Sequence, residues 1–333
     1  MGRMDFRVAR VPLLFILAVG TATAQTDPPG VVVDAFPVRT VRIVAAQQPG
    51  SANDNVARIL ADALAEAWGQ PTVVENRPGA SGAIGTKFAA QSAPDGYTLL
   101  VGGMSNMLSS PVLDPRYGID AARDFVAIGR IAWVPFVLAV HPDVPAHTMT
   151  ALVEQARRHP RGLVFATSGP TAFSRLCVEH FARRAGVEFL TVEYRGAPAA
   201  TLDLVAGRAQ LQINEVATMK LHADAGRVRL LAVAGDRRTA KVPALPTFAE
   251  AGMSAIPLTP WYGLFAPAGI APPILARVEA AYLAAMRSPE LRARLEALGY
   301  EPVVDEPGEF PRAFRADLEA IRALARGAGL LPP

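Results

Sequence analysis

Five short stretches hold the residue types from which a small-molecule site could be assembled: 47–54, 76–85, 102–106, 167–171 and 194–198, each small, polar or glycine-bearing. Hydroxyls, amides and the backbone N–H groups of turns can together seat a carboxylate or another anion without transforming it. The catalytic patterns are weaker. Ala166-Thr167-Ser168-Gly169 lacks the first glycine of a nucleophile elbow, so Ser168 reads as a helix-capping hydroxyl, with a secreted hydrolase as the alternative. His141, His147, His159, His180 and His222 show no zinc-ligand spacing, and Cys177 with His180 lacks the further ligands that a metal needs. Gly79, Gly82 and Gly85 fall three apart, which is not the dinucleotide fingerprint. No paired carboxylates stand out, so no catalytic residue, metal or cofactor is expected.

The elements that position these stretches can be read from periodicity. Val41-Arg42-Ile43-Val44-Ala45-Ala46 is a β-branched run that reads as a buried strand, and Gln47 to Ala52 breaks it. From Asn53 the apolar positions Val56, Ile59, Leu60, Ala63, Leu64 and Ala67 recur at helical spacing. Ser51 or Asn53 can cap this helix, and Asp54 is either a ligand group or a first-turn aspartate favoured by the helix dipole. The loop is thus an anion seat or an ordinary strand-to-helix turn. Strands and helices alternate from there to Ala234, which argues an α/β protein with mostly parallel sheets. Beyond Gly235 the texture changes: Trp261 to Phe265 is an aromatic strand, and the remainder reads as helical. It closes on an amphipathic helix from Pro307 to Arg326 with Phe310, Phe314, Leu318, Ile321 and Leu324 on one face.

With 333 residues, 51% of them hydrophobic, the chain has material for two cores of ordinary domain size. A net charge of +3, with no long run of one sign, gives no nucleic-acid footprint. Arg3, Arg7 and Arg10 precede the apolar run Val11 to Gly20, and Ala22-Thr23-Ala24 follows, which together read as a secretory signal peptide over 1–24 cleaved near Ala24. Ten apolar residues are too few to span a bilayer, and no later run reaches about eighteen, so the mature chain is expected to be periplasmic and not membrane-embedded. The single cysteine, Cys177, cannot form an internal disulfide and reads as core packing.

Several stretches together resemble the extracytoplasmic solute receptors of the tripartite tricarboxylate transporter system, the Bug-type substrate-binding proteins. They are Val41 to Arg58 with Pro49-Gly50 and Asp54, Val74 to Ala80, Ala93 to Leu100, Thr167-Ser168-Gly169, Tyr194-Arg195-Gly196, Arg229 to Val233 and Trp261 to Pro267. The resemblance covers roughly Val38 to Leu330 and implies a type II periplasmic-binding-protein fold, two α/β lobes joined by two crossing segments around a central cleft. The crossings are expected near Pro135-Phe136 and Pro260-Trp261, giving lobe one 37–135 with 261–333 and lobe two 136–260. It further implies a non-enzymatic receptor, monomeric, that captures a small organic acid for membrane permease subunits. A ligand-sensing partner of a membrane sensor kinase is the alternative. On matching positions the implied ligand-binding residues are Gln47, Ser51, Asn53, Asp54, Ser105, Asn106, Thr167, Ser168, Tyr194 and Asn214. Departures from the family pattern bear on specificity: Gln47 replaces an aromatic residue, Ser51 a glycine and Asn53 a threonine, and Ile213-Asn214-Glu215 stands where Phe-Asp-Asn is common. Losing an acid at Asn214 removes a partner for a ligand amine, which argues against amino acids.

Overall fold

Short apolar runs cut off by turn residues, and followed by stripes of helical period, fold here into strand–helix units. The computed structural model describes residues 1–2 and 35–332, so nearly all of the assigned leader lies outside the described residues. The strands are β1 (Val41–Ala45), β2 (Thr72–Asn76), β3 (Thr98–Gly103), β4 (Phe125–Trp133), β5 (Phe136–Val140), β6 (Val164–Thr167), β7 (Leu190–Glu193), β8 (Leu211–Glu215), β9 (Arg229–Ala234), β10 (Trp261–Pro267) and β11 (Glu301–Pro302). The helices of the first half are α1 (Ala52–Trp68), α2 (Ala83–Ala90), α3 (Ser110–Leu113), α4 (Ala121–Asp124) and α5 (Met149–Arg158). Those of the second are α6 (Phe173–Ala185), α7 (Ala197–Val205), α8 (Val216–Asp224), α9 (Pro272–Arg287), α10 (Pro289–Ala297) and α11 (Glu309–Gly327).

The strands form two sheets, ordered β11-β4-β10-β3-β1-β2 and β7-β6-β8-β5-β9. Within the first, β2, β1 and β3 are parallel, while β10 runs antiparallel between β3 and β4. Within the second, β7, β6 and β8 are parallel, and β5 runs antiparallel to both its neighbours. Each sheet is therefore mixed, with three parallel strands whose carboxyl ends share an edge. The chain passes from one sheet to the other after β4 and returns before β10, and the two crossings are tied together by a hydrogen bond from Val134 N to Pro260 O of 2.7 Å.

Local chemistry fixes the elements that matter for the site. The Ser51 hydroxyl caps α1 by accepting from Asp54 N, and Gly69 ends it in the left-handed conformation. The Ser288 hydroxyl accepts from Leu291 N, with Pro289 in the first turn of α10. Cys177 is fully buried among the apolar residues of α6. One expectation is amended: the tail is not wholly helical, because β11 pairs with Trp133 and Ala132, a two-residue strand too short to leave a periodic signal. The apolar face of α11 does more than close the first lobe. Phe310 and Phe314 pack edge-on against Trp261 and Phe265, while Leu318, Ile321 and Leu324 continue into a core shared with Leu176, Cys177 and Phe181 of α6. The last helix thus packs on β4 of the first sheet and on α6 of the second lobe.

Candidate functional site

Residues after β2 and β3 in one lobe lie against residues after β6 in the other, and the end of β8 meets Tyr262 of β10. On the first side, the loops after β1, β2 and β3 are bonded into one surface. Asn76 Nδ2 donates to Gln47 O at 3.3 Å and to Asp54 Oδ1 at 2.8 Å. Asn53, fully buried, donates through Nδ2 to Val101 O at 2.9 Å, leaving its Oδ1 without a hydrogen-bond partner. Asn106 Oδ1 accepts from Gly103 N at 2.9 Å, and its Nδ2 donates to Thr86 Oγ1 at 3.0 Å. Gly82 makes this packing possible: at φ +92° a side chain would be strained, and a Cβ would lie 2.8 Å from Asn106 Cβ.

On the second side, Tyr194 N donates to Thr167 O at 2.9 Å, joining the loops after β6 and β7. Asn214 Nδ2 donates to Thr201 Oγ1 at 3.3 Å, joining the end of β8 to α7. The two sides touch. The Ser81 hydroxyl lies 3.8 Å from where a Cβ on Gly169 would stand, and Tyr194 O lies 3.9 Å from the same point. Nearby, Ser109 Oγ donates to Thr171 O at 2.7 Å, and the hydroxyls of Ser110 and Thr171 are 2.7 Å apart.

What these groups can do depends on which are already engaged. The Asp54 carboxylate accepts from Gly50 N at 2.8 Å, Arg58 Nε at 3.0 Å and Asn76 Nδ2 at 2.8 Å. Burial alone would raise its pKa, but these donors together hold it below the usual aspartate range. Its oxygens are thus engaged within the loop. Asn106 is bonded on both sides, and Thr167 Oγ1 is buried facing Val192 O at 3.5 Å. The Tyr194 hydroxyl is turned away to Asp203 Oδ2 at 2.7 Å, so this residue offers its backbone and ring edge. Ser168 does not cap α6, whose N-cap is Ala172; its hydroxyl sits 3.2 Å from that of Ser174, which is not a base. Among the described residues, the half-buried side chains of Gln47 and Ser105 have no protein hydrogen bond.

Helix termini supply the remaining donors. α2, α6 and α7 follow the loops after β2, β6 and β7, beginning after Gly82, Ala172 and Gly196 with no side-chain cap; Ala83 N at the start of α2 donates to Ala80 O, and Pro198 leaves α7 one donor fewer. Uncapped first turns leave N–H donors and the positive end of the helix dipole facing outward. Three residues join the junction without having been singled out from sequence: Ser81, Asn76 and Glu215. The glycine-rich loop was recognised, but which of its residues would approach the other lobe depends on a positive φ of 54° at Ser81 that its residue type does not announce. Among the described residues, no group of three or more His, Cys, Asp or Glu is placed to hold a metal ion, and no helix is long and apolar enough to cross a membrane.

Two mixed α/β lobes, linked by a pair of bonded crossings and meeting at their strand ends, define the type II periplasmic binding-protein fold. The family model described as tripartite tricarboxylate transporter family receptor matches residues 56–329, and the chain belongs to that family. It is 33% identical over 306 residues to the protein BugT of Bordetella pertussis, covering 92% of this chain and 93% of that one. Among solved structures it is similar to Rpa4515 of R. palustris with adipate, at TM-score 0.81 and 31% identity, covering 88% of this chain and 98% of the other. It is also similar to MatC of Rhodopseudomonas palustris with bound malate, at TM-score 0.78 and 27% identity, covering 87% and 99%.

Proposed function

We propose that this chain is a periplasmic receptor that closes two lobes, residues 37–135 with 261–333 and residues 136–260, on a small organic carboxylate and delivers it to the permease of a tripartite tricarboxylate-type transporter. The observation that carries this reading is the contact of loops from both lobes, with Ser81 beside Gly169 and Ser109 bonded to Thr171, next to which α6 begins without a side-chain cap. A carboxylate at that point finds polar groups from both lobes at once, and it finds them only when the lobes are together, which is what makes binding drive closure. Gln47, Ser51, Ser81, Ser105, Ser168 and Asn214 surround the junction with hydroxyls and amides that orient the rest of the ligand. Asn53 contributes a buried acceptor, Oδ1, for a ligand hydroxyl or a bridging water. The adipate and malate in related structures support the ligand class. Capture requires no reaction, and the basic, apolar and small-residue leader of 1–24 supports export.

A thermal-shift screen of the mature protein against mono-, di- and tricarboxylates, aromatic acids and amino acids tests this. At about 100 times the dissociation constant a ligand adds roughly 2.7 kcal/mol, a rise of a few degrees for lobes of this size. No shift with any carboxylate, together with no retained acid in native mass spectrometry, would end the proposal.

A further inference from the structure

Glu215 closes β8 in the second lobe, yet its oxygens are met by hydroxyls from the first. Tyr262 Oη donates to Oε1 at 3.3 Å, and Tyr300 Oη to Oε2 at 3.5 Å. The surrounding contact is tight. A Cβ on Gly299 would stand 2.6 Å from Ala217 Cβ at the start of α8, and Val216 N donates to Pro135 O at 2.8 Å in the crossing segment. We propose that Glu215, Tyr262 and Tyr300 form a clasp between the lobes that holds while Glu215 is protonated and loosens when it ionises, so that opening of the receptor depends on pH. This rests on the two-lobe receptor reading above.

The reason is solvation. Burial pushes the Glu215 carboxyl up to about 7, with the two tyrosine hydroxyls holding it down only in part. The charged groups on the packed elements are engaged elsewhere. Arg130 on β4 faces Asp305 and stacks on Trp133, Glu301 on β11 is bonded by Arg237 and Thr239, and Lys220 pairs with Asp224 on α8. His222, also on α8, is held toward its neutral form by burial and then by Arg227. β5 and β10 carry no charged residue. An ionised Glu215 in the clasp therefore has two long phenol bonds where open lobes would give it water. The folded, clasped state binds the proton more tightly than an opened one, so rising pH favours opening. Between pH 5 and pH 8 the open-to-clasped ratio is expected to rise on the order of tenfold or more, provided that opening returns the carboxyl to solvent.

The test uses the mature chain with spin labels on Val73→Cys and Leu202→Cys, two exposed positions on opposite lobes; native Cys177 is buried and does not compete. Pulsed dipolar distances are measured across pH 5 to 8.5. The longer-distance population should grow with pH around 7 in the parent, stay small throughout in Glu215→Gln, and grow at a higher midpoint in Tyr300→Phe, which removes a donor to the ionised form. A pH response that survives Glu215→Gln, or a midpoint unmoved by Tyr300→Phe, overturns the clasp. Distances that shorten with adipate or malate but ignore pH overturn the clasp alone. Distances that ignore both pH and every carboxylate of the thermal-shift screen overturn the receptor reading itself.

Discussion

Asp54 shows how a residue of the right type can be used up by its own loop. A carboxylate in the first turn of a helix suits the dipole, and here it also gathers Gly50 N, the Arg58 guanidinium and the Asn76 amide around one buried group. Asn76, at the end of the neighbouring strand, therefore belongs to the first loop as much as to the second. Asp54→Asn keeps the size but removes the charge that two of these donors meet, and is expected to cost about 1–3 kcal/mol in urea unfolding at pH 7. The sign with pH follows from the lowered pKa: the stabilisation is fully present above the ordinary aspartate value of 3.8 and fades as pH falls through the folded value. The gap between the two proteins should therefore close in acid. A gap that stays constant down to acid pH would mean that the charge of Asp54 contributes nothing to the loop.

At the scale of elements, periodic signals were readable and contacts between distant elements were not. The helix from Asn53, the aromatic strand at Trp261 and the apolar face of the last helix all stood out because each repeats its signal over several residues. β11 has two residues and no repeat to see, and the antiparallel course of β5 and β10 is a property of pairing partners far away in sequence. The loops of the candidate site were legible as loops, but whether Asp54, Asn106 or Tyr194 faced the junction or its own lobe depended on partners 3 to 22 residues away that no local pattern specifies. Glu215 appeared only as a departure from a family pattern. The last helix illustrates the same limit, since its stripe predicted burial but not that the burial is shared between lobes. Ile321, fully buried in that shared core, is expected to cost about 2–5 kcal/mol on Ile321→Ala. Because the contact joins the lobes, calorimetry of this variant should also show two unfolding transitions separating where the parent shows one. A single transition merely shifted down would place Ile321 in the first lobe's own core.

Across the whole molecule, most of the acids with shifted pKa divide by location, with Glu279 on α9, raised by burial, outside the division. Asp54, Asp124, Asp203 and Glu250 are held below their ordinary pKa by donors in loops and at helix starts, and their contributions are lost only in acid. Glu215, Asp305 and Asp317 are raised, each chiefly by burial, and all three lie on segments that surround the crossings: Glu215 at the end of β8, Asp305 beside Arg130 of β4, and Asp317 on α11, bonded to Trp261 Nε1 at 2.7 Å. Of these, Glu215 is the acid placed to respond near neutrality, at the joint between the lobes. For Glu215 the direction is set by a folded pKa of about 7 against an ordinary value of 4.5: the clasped fold holds the proton longer than the unfolded chain, so its stability falls as pH rises from 4.5 to 7 and levels off above. Glu215→Gln, uncharged at every pH, with Oε1 to accept from one tyrosine and Nε2 to donate to the other, should lack that decline. Its urea midpoint is expected to match the parent's near pH 4.5 and to exceed it increasingly up to pH 7, by on the order of 1–3 kcal/mol in unfolding free energy at the plateau. The difference between the two curves isolates one carboxyl from the rest of the titration. If that difference were flat with pH, Glu215 would be ionised in the fold throughout, and the joint would have no acid that responds near neutrality.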